Sequence, residues 1–262
     1  MKSLGIIPAR YGATRFPAKP LADLLGKPMI QRVWEGAREA KRLAHVIVAT
    51  DDERIASVCE AFGAEVIMTD SDLPSGTDRI LAAYRLHTER TGQTFDTVVN
   101  IQGDEPLLRG VVIDDLLTTL ERYKLTKHIV TTPIKKIDES DELVASHIVK
   151  VALNQAQKAI YFSRSPIPHC RESTLSSDWL KEYTYWKHIG IYAYTTPALV
   201  RFGELSPSPL EQVEQLEQLR LLEDGVEFYC VPTEEEFVAI DIESDAVKVR
   251  QILRQREEML GR

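Results

Sequence analysis

Three cations fall in one short segment, Pro8-Ala9-Arg10-Tyr11-Gly12-Ala13-Thr14-Arg15-Phe16-Pro17-Ala18-Lys19-Pro20. Arginine offers a planar fork to phosphate oxygens and lysine a point charge. Arg10, Arg15 and Lys19 therefore suit a clamp on a triphosphate that also neutralises a leaving pyrophosphate; a solvated basic loop has the same composition. A second segment, Gln102-Gly103-Asp104-Glu105-Pro106, places the Asp104 carboxylate beside a glycine. Mg²⁺ takes one or two carboxylates plus substrate phosphates, which suits Asp104; a turn aspartate capping the next helix is the plainer alternative. A third, Ser75-Gly76-Thr77-Asp78-Arg79, reads as a helix start. Its free N–H groups and Arg79 suit a base or a phosphate, and the same pattern also makes an ordinary N-cap.

All three segments follow apolar runs, and open α/β sheets bind ligands beyond the carboxyl ends of their strands. Leu4-Gly5-Ile6-Ile7, Val46-Ile47-Val48-Ala49, Glu65-Val66-Ile67-Met68 and Thr97-Val98-Val99-Asn100-Ile101 read as strands. Between them lie amphipathic helices: Lys27 to Lys41 with Ile30, Val33, Trp34 and Ala37 on one face, one carrying Ile55, Val58 and Phe62, and one carrying Ile80, Leu81 and Tyr84. This alternation implies an α/β protein with a mainly parallel, three-layer α/β/α sheet. From about Lys135 to Tyr185 the pattern changes to strand-like pieces and polar loops, the mark of an inserted subdomain. A helix is expected after Pro209, with Leu210, Val213, Leu216 and Leu219 at every third position. Strands near Phe228 and Val238 and a charged helix from about Ser244 follow.

The chain has 262 residues, a net charge of −8 and 44% apolar residues. That balance argues against a nucleic-acid partner, which demands clustered basic residues. No apolar stretch is long enough for membrane insertion, and the opening residues lack a signal-peptide core, so a cytoplasmic location is expected. Cys59, Cys170 and Cys230 are odd in number and widely spaced, which suits a reducing compartment and small buried side chains. Neither Gly-x-Gly nor a P-loop occurs, so a nucleotide must be held otherwise.

Taken together the segments resemble the CMP-Kdo synthetases, the 3-deoxy-manno-octulosonate cytidylyltransferases. The motifs that carry the resemblance are PARYGATRFPAKPL at 8–21, GKPMIQRV at 26–33, VATDDERI at 48–55, SGTDR at 75–79, NIQGDEP at 100–106, VK at 149–150, AIYFSRSPIP at 159–168, KHIGIYAY at 187–194 and SPLEQVEQLEQLR at 208–220. They run in family order over essentially the whole chain. The first loop and QGDEP occur more loosely in many sugar nucleotidyltransferases, whereas YFSR, HIGIY and LEQLR are much more specific to the Kdo branch.

The resemblance implies a single nucleotidyltransferase domain over 1–262, with a sugar-binding and dimerising subdomain at about 135–195, working as a homodimer. It implies transfer from CTP to Kdo, an acidic eight-carbon sugar, giving CMP-Kdo and pyrophosphate for lipopolysaccharide synthesis. The implied CTP contacts are Pro8, Ala9, Arg10, Arg15, Lys19, Ser75, Gly76, Arg79 and Gln102, with Arg10, Lys19 and Asp104 catalytic. Asp104 and Asp241 are the implied Mg²⁺ ligands. Gln102, Arg164, His188, Tyr192, Glu217 and Gln218 are the implied sugar contacts. Read without the family, Arg164 is a surface arginine, His188 a structural histidine and Glu217 half of an internal ion pair with Arg220.

Three departures from the family bear on these assignments. Ala18 stands where glycine is usual, Leu73-Pro74 precedes SGTDR where polar residues are common, and Asp-Ile-Glu-Ser-Asp replaces Asp-Thr-Pro-Glu-Asp at 241–245, leaving Asp245 as the fallback ligand. The 8-amino analogue of Kdo, a sialic acid, or a non-catalytic nucleotide-binding role are the alternative readings.

Overall fold

The apolar runs become strands because both of their faces are covered. Leu4, Ile6 and Ile7 in β1 (Ser3–Ala9), Ile47 and Val48 in β2 (His45–Thr50) and Val98 and Val99 in β4 (Thr97–Asn100) are all 0% exposed. The computed structural model describes residues 1–12, 16–123, 127–173 and 176–260. The chain divides into two compact units, Met1–Asp114 with Glu235–Arg262, and Asp115–Glu234.

In the first unit β1 is followed by α1 (Met29–Arg38), β2, α2 (Glu53–Ala61), β3 (Glu65–Met68), α3 (Gly76–Thr91), β4 and the start of α4 (Gly110–Arg122). Its sheet runs β3-β2-β1-β4, every pair parallel, with Ile6 opposite both Ile47 and Asn100. This is the parallel sheet that the alternating pattern predicted. The expected face of α1 is the buried one: Ile30, Val33, Trp34 and Ala37 all lie inside.

The second unit is built on β5 (Ile129–Lys136) and contains α5 (Ser140–Val144), β6 (Lys150–Leu153), β7 (Ala159–Ser163), α6 (Ser176–Glu182), β8 (Trp186–His188), β9 (Tyr192–Thr195), α7 (Thr196–Glu204), α8 (Pro209–Glu214), α9 (Gln218–Glu223) and β10 (Glu227–Pro232). β5 pairs in parallel with β10 and antiparallel with β8 and β9, and β6 pairs antiparallel with β7 and β8.

Two expectations need correction. The segment after Pro209 is not one helix: Gln215 adopts a left-handed conformation (φ 55°) and separates α8 from α9. Val213, expected on the apolar face, is 84% exposed. A repeat of three residues drifts around a helix of 3.6 per turn and cannot stay on one face. Around Val238 there is no strand; an irregular segment leads into α10 (Glu243–Leu260). Ile240 is 0% exposed and packs with Ala246, Val249 and Leu253 of α10 and with Leu24, Met29 and Leu107. That cluster ties the chain's last segment to the first unit. Cys59 and Cys230 are buried free thiols, and burial pushes both up to about 12; Cys170, expected to be buried with them, is a free thiol that is only half-buried. Among the described residues no helix is long and apolar enough to cross a membrane.

Candidate active site

The carboxyl ends of β1 and β4 meet through a glycine. A Cβ on Gly103 would lie 2.7 Å from the Pro8 carbonyl oxygen, so only glycine lets this turn rest on β1. Asp104 comes next, and its carbonyl accepts a hydrogen bond from the Ile240 N–H at 3.0 Å. This bond, with the buried Ile240 side chain, delivers Asp241 beside Asp104. Lys19 arrives from a 3-10 turn, Lys19–Leu21, whose preceding residue Ala18 is left-handed (φ 57°). Its ammonium donates to Asp104 Oδ2 at 2.9 Å and to Asp241 Oδ1 at 3.3 Å. The fallback carboxylate, Asp245, is otherwise engaged: it accepts the N–H groups of Asp241 and Ile242 at 3.0 and 3.1 Å.

Asp104 and Asp241 thus direct oxygens at one cationic point. Among the described residues no three His, Cys, Asp or Glu side chains gather as a ready-made metal cage. A pair of carboxylates suffices for Mg²⁺, which completes its shell with phosphate oxygens and water, so these residues fit that ion. Beneath them lies Glu105, 7% exposed, its Oε2 lacking a hydrogen-bond partner among the described residues. Burial, then the charges of Asp104 and Asp241, hold its carboxyl well above the usual range against the opposing pull of Lys19. Sequence reading passed over Glu105, though two adjacent carboxylates at a strand end were the available signal.

Pro8 and Ala9 close β1, and Arg10 follows them at the surface. Arg15 lies outside the described residues. Tyr11 carries the Arg54 guanidinium 3.3 Å above its ring. The helix start at α3 has the geometry of an N-cap: Ser75 Oγ accepts the Asp78 N–H at 3.1 Å. A Cβ on Gly76 would meet nothing within 4 Å, so open space adjoins this backbone. Arg79 turns inward, 4% exposed, donating to Thr69 Oγ1 at 2.6 Å, the Asp70 carbonyl at 3.2 Å and Asp51 Oδ2 at 2.8 Å. It braces the ends of β2 and β3. The Gln102 carbonyl accepts the Glu105 N–H at 3.3 Å and shapes the turn that holds Asp104.

The second unit gathers the remaining candidates. Thr132 offers its single hydroxyl hydrogen to the Ile189 or Ile191 carbonyl, at 3.1 or 2.8 Å, so it accepts from His188 Nε2 at 3.0 Å. His188 packs on Phe162 and Tyr192, with ring centroids 5.0 and 5.3 Å away. Burial pushes its imidazole down to about 3, so the ring is neutral. Burial, then Tyr194 and Glu217, push the Tyr192 hydroxyl well above its ordinary value. Glu217 caps α9 rather than lying mid-helix, and Arg220 forks onto Glu211 at 2.8 and 2.6 Å. Gln218 is 5% exposed, and its Nε2 has no partner among the described residues. Arg164 is held by backbone carbonyls of Glu214, Ser146 and Gln215 at 2.8, 3.2 and 3.2 Å.

A lysine and two aspartates gathered at the ends of a parallel sheet, without a Gly-x-Gly turn or a P-loop, suit the phosphate chemistry of a nucleotidyltransferase. Comparison with known proteins agrees. The cytidylyltransferase family model matches residues 4–228. The 3-deoxy-manno-octulosonate cytidylyltransferase of Parabacteroides distasonis is 43% identical over 98% of this chain and 100% of its own. The mitochondrial enzyme of that name from Arabidopsis thaliana is 40% identical over 97% of this chain and 83% of its own. A solved CMP:2-keto-3-deoxy-manno-octonic acid synthetase, complexed with CTP, superposes with a TM-score of 0.87 at 38% identity, covering 98% of this chain and 100% of that one. A UDP-glucose pyrophosphorylase shares the fold alone, at a TM-score of 0.67 and 14% identity. The chain belongs to the cytidylyltransferase family, and it is a nucleotidyltransferase enzyme.

Proposed function

We propose that this enzyme couples CTP to the anomeric hydroxyl of Kdo, giving CMP-Kdo and pyrophosphate, as a cytoplasmic step of lipopolysaccharide synthesis. The observation that carries the reading is the convergence of Lys19, Asp104 and Asp241, from three separate stretches of sequence, on one point. The names of the full-length relatives supply the nucleotide and the sugar.

In this reading the anomeric oxygen attacks the α-phosphorus in line and the pyrophosphate departs. Arg10, Arg15 and Lys19 bind the triphosphate, and Arg10 and Lys19 offset the charge that grows on the leaving group. Ser75, Gly76 and the backbone braced by Arg79 edge the cytosine, with Pro8, Ala9 and Gln102 completing the nucleotide contacts. Gln102, Arg164, His188, Tyr192, Glu217 and Gln218 receive the sugar acid. Neutral His188 offers Nδ1 only as an acceptor, which suits a hydroxyl better than a carboxylate. Asp104 and Asp241 would hold Mg²⁺, which when bound polarises phosphate oxygens and lowers the pKa of a coordinated hydroxyl. A homodimer through the 135–195 segment belongs to the same reading, supported by the exposed apolar side chains of Val144, Ile160 and Tyr183.

The test is pyrophosphate release with CTP, Mg²⁺ and each of Kdo, 8-amino-Kdo and a sialic acid. Kdo is expected to give the highest kcat/KM, and Asp104→Asn to abolish turnover while the circular dichroism spectrum stays unchanged. A preference for another sugar would reassign the substrate, and an active Asp104→Asn would remove Asp104 from the metal site.

A further inference from the structure

The second unit holds a buried cation that the chemistry above leaves unused. Lys150, the first residue of β6, is 0% exposed. Its ammonium donates to the carbonyls of Ala145, Ile148 and Arg164 at 2.9, 2.6 and 2.5 Å. Among the described residues it has no carboxylate within ion-pair distance. A buried ammonium satisfied only by carbonyls is costly and calls for an explanation.

The three carbonyls share a neighbour. Ala145 and Ile148 bound the turn after α5 whose Ser146 carbonyl accepts from Arg164 Nη1 at 3.2 Å. On another side Glu214 holds the same arginine: its carboxylate takes the Arg164 N–H at 2.9 Å and the Ser163 hydroxyl at 2.6 Å, and its carbonyl takes Arg164 Nε at 2.8 Å. The Gln215 carbonyl takes Nη2 at 3.2 Å. A guanidinium has five N–H groups, and these bonds use Nε and one hydrogen each of Nη1 and Nη2. Among the described residues one hydrogen on each terminal nitrogen remains to donate to a carboxylate oxygen. Charge does not cancel across the three ionisable side chains, with two cations against one carboxylate.

We infer that Lys150 is a positioning residue for Arg164. By drawing the Ala145, Ile148 and Arg164 carbonyls onto one ammonium, it fixes the orientation of the arginine's remaining N–H groups and adds a second positive charge behind them. The occupant is the carboxylate of the sugar acid, so this rests on the role proposed for Arg164.

Steady-state kinetics with Kdo and CTP varied separately test it. Lys150→Met removes the charge and its donors at nearly constant length. It is expected to raise KM for Kdo about tenfold or more, the worth of a charge-assisted hydrogen bond. KM for CTP is expected to stay within about twofold. Glu214→Gln is expected to act in the same direction more weakly, and Arg164→Lys to act at least as strongly. An unchanged KM for Kdo in folded Lys150→Met, with Arg164→Lys impaired, overturns the inference alone. An unimpaired Arg164→Lys overturns the sugar-site reading and the inference with it.

If Lys150→Met does not fold, the wild-type pH profile decides. Burial, opposed by Glu214 and reinforced by Arg164, brings Lys150 down to about 8. A neutral amine has two N–H groups for three carbonyls, so kcat/KM for Kdo is expected to fall above that pH while kcat/KM for CTP does not. A flat alkaline profile for Kdo overturns the inference.

Discussion

Lys19 donates to Asp104 at 2.9 Å across 85 positions of sequence, and the same ammonium reaches Asp241 at 3.3 Å. Two like charges brought so close repel unless a cation lies between them. Lys19 supplies that cation within the chain itself, and it is only 16% exposed in its side chain. Lys19→Met should therefore lower kcat by about 10²- to 10³-fold, the cost of removing one group that stabilises developing charge. KM for Kdo should change little, since Lys19 is not among the residues proposed to hold the sugar. Pyrophosphate release at saturating Mg²⁺ measures both, and a kcat within about twofold of wild type would remove Lys19 from the charge-stabilising set.

Ala18 is left-handed immediately before that lysine. The conformation costs an L-residue about 1 kcal/mol, which glycine avoids. Glycine also loosens the unfolded chain by a similar amount. Ala18→Gly should thus leave urea stability within about 0.5 kcal/mol of wild type. Ala18→Val places a branched side chain in the same conformation and should cost about 1–3 kcal/mol, with turnover falling as the Lys19 turn shifts. Equal stability and activity of the valine variant would contradict the left-handed assignment.

The first unit was readable because its signals are strong and local. Leu4, Ile6, Ile7 and Ile47 are apolar in unbroken runs because both sheet faces are covered, and Lys19 and Asp104 then fall at strand ends where ligands bind. Asp241 carried no such signal. Its place depends on one backbone bond, Ile240 N–H to the Asp104 carbonyl, and on Ile240 packing with α10. Neither is visible as a period or a spacing, so only the family resemblance reached it. The same is true of Glu217: the regular spacing of Leu210, Val213, Leu216 and Leu219 suggested one helix, while the left-handed Gln215 makes two. Arg79 was read as a ligand contact from its place at a helix start; its three bonds to Thr69, Asp70 and Asp51, which brace the ends of β2 and β3, depend on contacts outside its own helix and carried no local signal.

His188 provides a pH test with a definite sign. Its folded pKa, about 3, lies below the ordinary 6.5 of the unfolded chain. The unfolded state therefore binds more protons between these values. The stability contributed by the neutral ring is complete above pH 6.5 and is lost as pH falls towards 3, at most about 1.4 kcal/mol per pH unit. Urea unfolding of wild type from pH 7 to 4 should show this loss, and His188→Gln should show less of it. Turnover should have no break near pH 6.5 assignable to this ring. Identical pH dependence of stability in the two proteins would mean that His188 titrates normally.

The turn between α8 and α9 depends on a buried ion pair. Glu211 is 8% exposed and Arg220 is 7% exposed, and two hydrogen bonds join them at 2.8 and 2.6 Å. Glu211 also accepts the Ser208 N–H at 3.0 Å, which closes a capping box, and Arg220 lies 4.0 Å over the Phe202 ring. Removing one partner of such a pair strips a buried charge of its fork, at a cost of about 3–5 kcal/mol. Glu211→Ala should lose that much in thermal unfolding. It should also raise KM for Kdo, because Glu217 and Gln218 follow directly on the turn. The double variant Glu211→Leu, Arg220→Met should recover most of the stability, since apolar replacement of a buried pair is often close to neutral. Recovery of stability without recovery of KM would show that the pair shapes the sugar side of the turn as well as holding it. A loss below about 1 kcal/mol in Glu211→Ala would instead place the pair among exposed ones that contribute little.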